Sequence, residues 1–265
     1  MPDTLTAMQP TARALPVPAR VSPWTGYAML LRWNLAQIGA MLPLIVVVQA
    51  LLGAGIIIGF GFLIPGIDVE SAKFLSTGAP TVLLMVMGLV MVSQGVAQAR
   101  TTGTFTYLRA LPVPRPLLLF ADLTVWLAVS LPSVAVALLV AHWRYGFDFS
   151  FDWPVLLLAS MLTAVTASAV GYALALALPP MLTQLVTQVL VFFVMLFSPI
   201  TFHASQLPEW FQSVHDVLPF RPAADLLRAG MLSDSYNASA WDLAVLGAWC
   251  VVGFAVSLRA VIRRA

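Results

Sequence analysis

Long apolar runs separated by short polar stretches dominate the chain. Six runs are long enough to cross about 30 Å of hydrocarbon as helices, at ~1.5 Å per residue. They fall at Gly39–Ile64, Ala79–Val96, Leu117–Val140, Pro154–Leu178, Gln184–Ile200 and Trp241–Ala260. Backbone groups in lipid must be satisfied within their own segment, and the alternation of a barrel strand is missing, so the pattern predicts an all-α membrane protein. Three stretches are predicted not to span. Residues 1–22 are rich in Pro, Ala and Thr and lack the apolar centre of a signal peptide, so they read as a flexible tail on the side of synthesis. Trp24–Gln37 follows Ser22-Pro23, an N-cap and N1 pair, and its aromatics, leucines and Arg32 predict an amphipathic helix at the membrane interface. The third stretch is Phe197–Leu232, between the fifth and sixth spans. No internal repeat marks the chain as a two-fold transporter built on itself.

Composition agrees with lipid as the main solvent. The chain is 60% apolar and 9% charged, where a soluble domain carries about a quarter charged residues. The net charge of +2 points to no nucleic-acid partner. Charge placement says more. One side of the predicted bundle collects Arg13, Arg20, Arg32, Arg100, Arg109, Arg115, Arg259, Arg263 and Arg264; the other collects Lys73, Arg144, Arg221 and Arg228. Nine against four orients an even number of spans with both termini inside the cell.

Chemistry-bearing groups are sparse. Lys73 is the single lysine, in the context SAKF and on the outer side, so no Walker-type site for ATP is built from this chain. Asp122 and Asp242 lie near span ends, where an acid at the interface is the simpler reading than a proton relay. Uncharged span centres argue against a proton- or ion-coupled secondary transporter. Neither His142, His203 and His215 nor Cys250 has metal-ligand spacing, and no acid/base constellation supports a membrane-embedded lipid-modifying enzyme. Gln94 with Gln98, and Thr183, Gln184, Thr187 and Gln188, form i,i+4 pairs. They fit interhelical hydrogen bonding and, as a second reading, a polar lining of a translocation path through Gln94, Gln184, Thr187 and Gln188. Gly55-x-x-x-Gly59 is a weak helix-packing signal.

Two further segments stand out. Gly103–Arg115, GTFTYLRALPVPR, is basic and punctuated by proline. Phe105, Leu108 and Leu111 recur every third residue as an apolar ridge, and Pro112, Pro114 and Pro116 stop the helix. The residues alone fit an ordinary basic loop equally well. After the fifth span come Phe197-Ser198-Pro199-Ile200, Leu207-Pro208-Glu209-Trp210-Phe211, Leu218-Pro219 and Asp225-Leu226-Leu227-Arg228. Both segments resemble those of ABC-2 type permeases, and the resemblance covers nearly the whole chain beyond residue 22. One departure is that Ala97–Thr102 carries none of the acidic residues that often precede the Gly-Thr pair in that family.

The resemblance implies a transmembrane domain over residues 23–265 with no catalytic or metal site of its own. It implies a second permease chain, identical or a paralogue, and two copies of a separate ABC ATPase subunit that carries the ATP and magnesium. It implies an exporter in the inner (plasma) membrane, moving a drug, lipid or glycolipid/polysaccharide out of the cytoplasm or inner leaflet; the near-absence of buried charge favours apolar or amphipathic cargo. The segment with Arg100, Gly103, Thr104, Phe105, Leu108, Leu111 and Arg115 would be a coupling helix that docks on the ATPase. Pro199, Pro208, Trp210, Pro219, Asp225 and Arg228 would belong to a re-entrant helix pair capping the outer side; an amphipathic hairpin on the membrane surface is the other reading of those residues.

Overall fold

The computed structural model describes residues 22–63, 68–110, 113–146 and 148–263. The tail expected over 1–22 lies outside the described residues apart from Ser22, as does Leu111. The described residues form eleven α-helices and no sheet. They are α1 (Pro23–Gly39), α2 (Leu42–Leu63), α3 (Val69–Val86), α4 (Ser93–Thr101), α5 (Thr104–Ala110), α6 (Pro116–Tyr145), α7 (Trp153–Ala177), α8 (Pro180–Phe197), α9 (Glu209–Val217), α10 (Phe220–Met231) and α11 (Ala240–Arg263).

Six helical runs have the length and apolarity to cross a membrane: α2, the continuous run Val69–Thr101, α6, α7, α8 and α11. The second run is longer than the apolar stretch that predicts it. Ser71, Lys73, Ser76 and Thr77 shorten the apolar stretch at one end, and Gln94 and Gln98 at the other. Helix geometry carries through both, because these ends pack against other helices. Between α3 and α4 the chain winds as a π-helical segment, Met87–Val92. Such a segment bonds i→i+5 and so widens the turn. Ser93 supplies a donor there, its hydroxyl bonding the Leu89 carbonyl and, at 2.9 Å, the Gly171 carbonyl of α7.

The run Val69–Thr101 is the axis of the bundle. Of its most apolar window 89% is buried, against 22% for α2 and for α8. It packs on α6, α7 and α10. α7 meets it and α11 through buried small residues, Ala159, Ser160, Thr163, Ala164, Ala167 and Ala169 among them. Small side chains let helix backbones approach, which suits helices that gain no hydrophobic drive from each other in lipid. Within this chain Gly55 and Gly59 make no such contact, since a Cβ at either would meet nothing within 4 Å.

Asp68 and Asp152 are helix caps. Asp68 accepts from the Ser71 amide at 3.2 Å and Asp152 from the Val155 amide at 3.3 Å, starting α3 and α7. The Asp68 carboxyl is held below its usual range by these Ser71 hydrogen bonds. The alternation of spans gathers α1, α5 and the last turns of α4, α7 and α11 at one end of the bundle. The opposite end holds α9, α10 and the first turns of α3, α7 and α11.

Candidate functional site

Gly103 joins α4 to α5 in the left-handed region at φ 78°, a conformation that favours glycine. It reverses the chain so that α5 lies across the end of the bundle. The apolar ridge of α5 faces the protein's own interior. Phe105 packs on the cluster of Val92, Val96 and Leu119, and Leu108 on Leu30, Leu118 and Ala121. Phe105 and Leu108 are both half-buried, and Leu111 of the expected docking ridge lies outside the described residues. Spacing places two residues on one helix face but does not say which way the face turns. Among the described side chains of α5, Thr106, Tyr107 and Ala110 are exposed, Tyr107 at 60%. Thr104 is half-buried, and its hydroxyl lies 3.0 Å from that of Thr102.

The arginines expected to reach a partner are tied to helix ends. Arg100 donates to the carbonyls of Ala175 and Leu178, the latter at 2.7 Å. Arg115 donates to the Ile262 carbonyl at 3.1 Å. The last carbonyls of a helix lack partners and carry partial negative charge, so a guanidinium is stabilising there. Arg100 thereby closes α7, and Arg115 closes α11, at the end where α5 lies.

α1 is strapped along α6 beside this site. Tyr27 donates to Thr124 Oγ1 at 2.8 Å, and Asn34 Nδ2 donates to Asp122 Oδ1 at 2.5 Å. Trp24, Met29, Trp33 and Leu35 stay exposed on its other face. A cavity of about 150 Å³ opens between α1, α4, α5 and α6. Asn34, Gln37, Thr104, Phe105, Asp122 and Trp126 contribute to its lining. Asp122 is thus built into the junction of four helices. The carboxamide that holds it lies 88 residues away in sequence, beyond the reach of any local pattern.

At the opposite end the helix pair is organised around Arg228, which is fully buried. Its Nη1 donates to Asp225 Oδ1 at 2.6 Å, its Nε to Thr77 Oγ1 at 3.2 Å and its Nη2 to the Ile200 carbonyl at 3.1 Å. The guanidinium carbon stands 3.6 Å from the centre of the Phe74 ring, which stacks on His203. Burial pushes the Asp225 carboxyl up from its ordinary range, with Arg228 and Arg221 pulling it back. Burial likewise pushes Arg228 down, with Asp225 chief among the groups opposing it. Arg221 bonds Asp216 and lies 3.5 Å from Asp225. Pro199 sits in the turn that delivers the Ile200 carbonyl, and Pro208 and Pro219 take the N-cap positions of α9 and α10. Trp210 is exposed. Trp249 donates to the Val217 carbonyl at 2.7 Å. At ~1.5 Å per residue, Trp249 lies about 13 Å along α11 from its start at Ala240.

The polar residues of α8 and α4 differ in their surroundings. Thr183 and Thr187 are buried but bond carbonyls of their own helix, Pro179 at 3.1 Å and Thr183 at 2.8 Å. Gln184 and Gln188 are exposed on α8, and Gln94 is half-buried on α4.

Six membrane-length helices around a central run, with short helices at both ends, define a multi-pass membrane protein. The family model of the ABC-2 type transporter matches residues 25–232, well over half of the chain, and the chain belongs to that family. It is therefore the membrane domain of an ABC transporter, a transport subunit. Its family implies an ABC ATPase on a separate chain and typically a second permease chain. No curated protein matches the sequence.

Proposed function

We propose that this chain is the permease of an exporter in the inner membrane, with α1, α5 and the end of α11 on the cytoplasmic side. Two such chains, identical or paired with a paralogue, would join two ATPase subunits that bind ATP and magnesium. The chain does no chemistry; it offers cargo different affinities in its inward- and outward-facing states, which is what a ligand-coupled cycle requires. Apolar or amphipathic cargo suits its largely uncharged spans, and α1 would lie in the interface with its exposed aromatics in the headgroups. α9 and α10 read as a re-entrant cap, because the Trp249–Val217 hydrogen bond holds the end of α9 part-way down α11. Gln184 and Gln188, exposed on α8, are available to a path or interface shared with the second permease chain.

The observation that carries this function is α5: a short helix seated on the bundle by Phe105 and Leu108 and presenting Tyr107 outward. Tyr107 becomes the docking residue, and Phe105 and Leu108 hold it in place. Tyr107→Asp is expected to abolish co-purification with the ATPase while the permease melts as wild type, since truncating an anchor costs about 2 kcal/mol or more at an interface. Leu108→Asp is expected to lower the melting temperature of the permease itself. Normal assembly in Tyr107→Asp would refute docking through α5.

Orientation has its own test. In a Cys250→Ala background, a membrane-impermeant thiol reagent applied to intact cells should label cysteines placed at 148 or 234 but not at 103. Labelling at 103 would invert the map.

A further inference from the structure

The acid in the cavity beneath α5 has no role in the transport scheme so far. Asp122 accepts from the Asn34 carboxamide, and its carboxyl lines the cavity. No Lys or Arg lies within ion-pair distance of it among the described residues, and none lines the cavity. Arg100 and Arg115 donate to carbonyls at the ends of α7 and α11. A carboxylate at a membrane boundary is costly unless it is paired, and its surroundings select what can pair with it.

Three features narrow the occupant. The polar neighbours of Asp122 in the cavity are the Asn34 and Gln37 carboxamides and the Thr104 hydroxyl, which present oxygens to a donor. The remaining wall includes Phe105 and Trp126, whose ring faces attract a cation. At about 150 Å³ the space equals roughly five waters at ~30 Å³ each, well below the 300 Å³ and more of a drug-sized site. It has room for an ammonium group and two or three carbons, and none for a ring system. A lone carboxylate among carboxamides and aromatics is also a poor divalent-cation site, which takes six or more oxygens.

We propose that this cavity binds the protonated amine headgroup of an amphiphile in the leaflet on the α5 side, Asp122 supplying the counter-charge. The chain of the amphiphile stays outside, beside the apolar face of α1. The same ammonium chemistry can come from an amino-phospholipid or from a cationic cargo molecule. Thr104 and Phe105 belong to α5, so the occupant touches the proposed coupling helix directly. That consequence rests on the coupling role of α5; binding itself does not, and the two fail separately.

The test uses the full-length permease in phosphatidylglycerol nanodiscs, with empty nanodiscs subtracted, and radiolabelled hexylammonium as the probe. Wild type and the exposed-site control Asp148→Asn should bind saturably, and hexanoate should not compete. Asp122→Asn should bind at least about tenfold more weakly, the loss expected for a charge-assisted contact. Gly95→Leu fills the cavity without touching the acid; a Cβ at Gly95 meets only the edge of Trp126, at 3.7 Å, so the variant is expected to fold and to lose binding as well. Including phosphatidylethanolamine separates the sources: competition assigns the site to lipid, and undiminished probe binding assigns it to soluble amines. Wild-type affinity in both variants, equal competition by hexanoate, or no saturable binding to wild type would overturn the proposal.

Discussion

Arg228→Leu is expected to cost about 3 kcal/mol of stability, the low end of what breaking a buried ion pair costs. The guanidinium serves three acceptors in three directions, Asp225, Thr77 and the Ile200 carbonyl, and lies over the Phe74 ring. Removing it leaves the Asp225 carboxylate half-buried with only Arg221 at 3.5 Å, and leaves the Ile200 carbonyl without this donor. That remaining partner is why the low end applies. Arg228→Lys should recover little, because an ammonium is a single point of charge and cannot reproduce the planar fork. The double change Asp225→Ala/Arg228→Ala should recover part of the loss by removing the stranded carboxylate as well. Thermal unfolding in detergent, read as a double-mutant cycle, measures the coupling; purely additive, near-zero effects would show the pair to be idle. A surface hairpin would make such a pair worth roughly 0–1 kcal/mol, but Arg228 has no exposed surface.

The fold was largely legible because its signals are local. Apolar runs of span length, the Ser22-Pro23 start of α1, and the prolines at 199, 208 and 219 each act within a turn or two, and elements appear where they point. Even the i,i+3 pairing of Asp225 with Arg228 follows from helix spacing. The caps Asp68 and Asp152 were legible too, as Asp-x-x-Ser and Asp-x-Pro ahead of apolar runs, although net charge alone hides them.

What the sequence hides is set by partners distant along the chain. Arginine count marks which end Arg100 and Arg115 occupy, but their acceptors are the ends of α7 and α11, 75 and 147 residues away. The facing of Phe105 and Leu108 depends on α1 and α6 closing over α5. The π-helical segment Met87–Val92 reads as an unremarkable apolar stretch, and the α7 backbone packed against it is distant along the chain.

Gly88→Leu is expected to prevent the bundle from closing. A Cβ at Gly88 would sit 2.4 Å from Ala167 Cβ and 2.6 Å from both the Ala167 carbonyl carbon and the Ser168 nitrogen. Two of those three atoms are backbone, so no rotamer change relieves the contact and the helices must separate. Even Gly88→Ala should cost about 1–3 kcal/mol, the usual range for overpacking. Ala167→Gly should restore only part of this, because it removes one of the three obstructions. Gly55→Ala, where a Cβ meets nothing within 4 Å, is the control and should melt as wild type. Position matters beyond stability. The run from α3 through the π-helical segment to α4 holds Thr77, a seat of Arg228, near one end and Gly103, which launches α5, just beyond the other. The contact at Gly88 is where that rod is clamped to α7 between the two. Gly88→Ala is therefore expected to weaken the dependence of ATP hydrolysis on cargo more than the milder loss of fold explains. The comparison is cargo-stimulated against basal hydrolysis in the assembled complex, at a temperature where both proteins stay folded. Equal stimulation in Gly88→Ala and wild type would show that the rod transmits nothing through this contact.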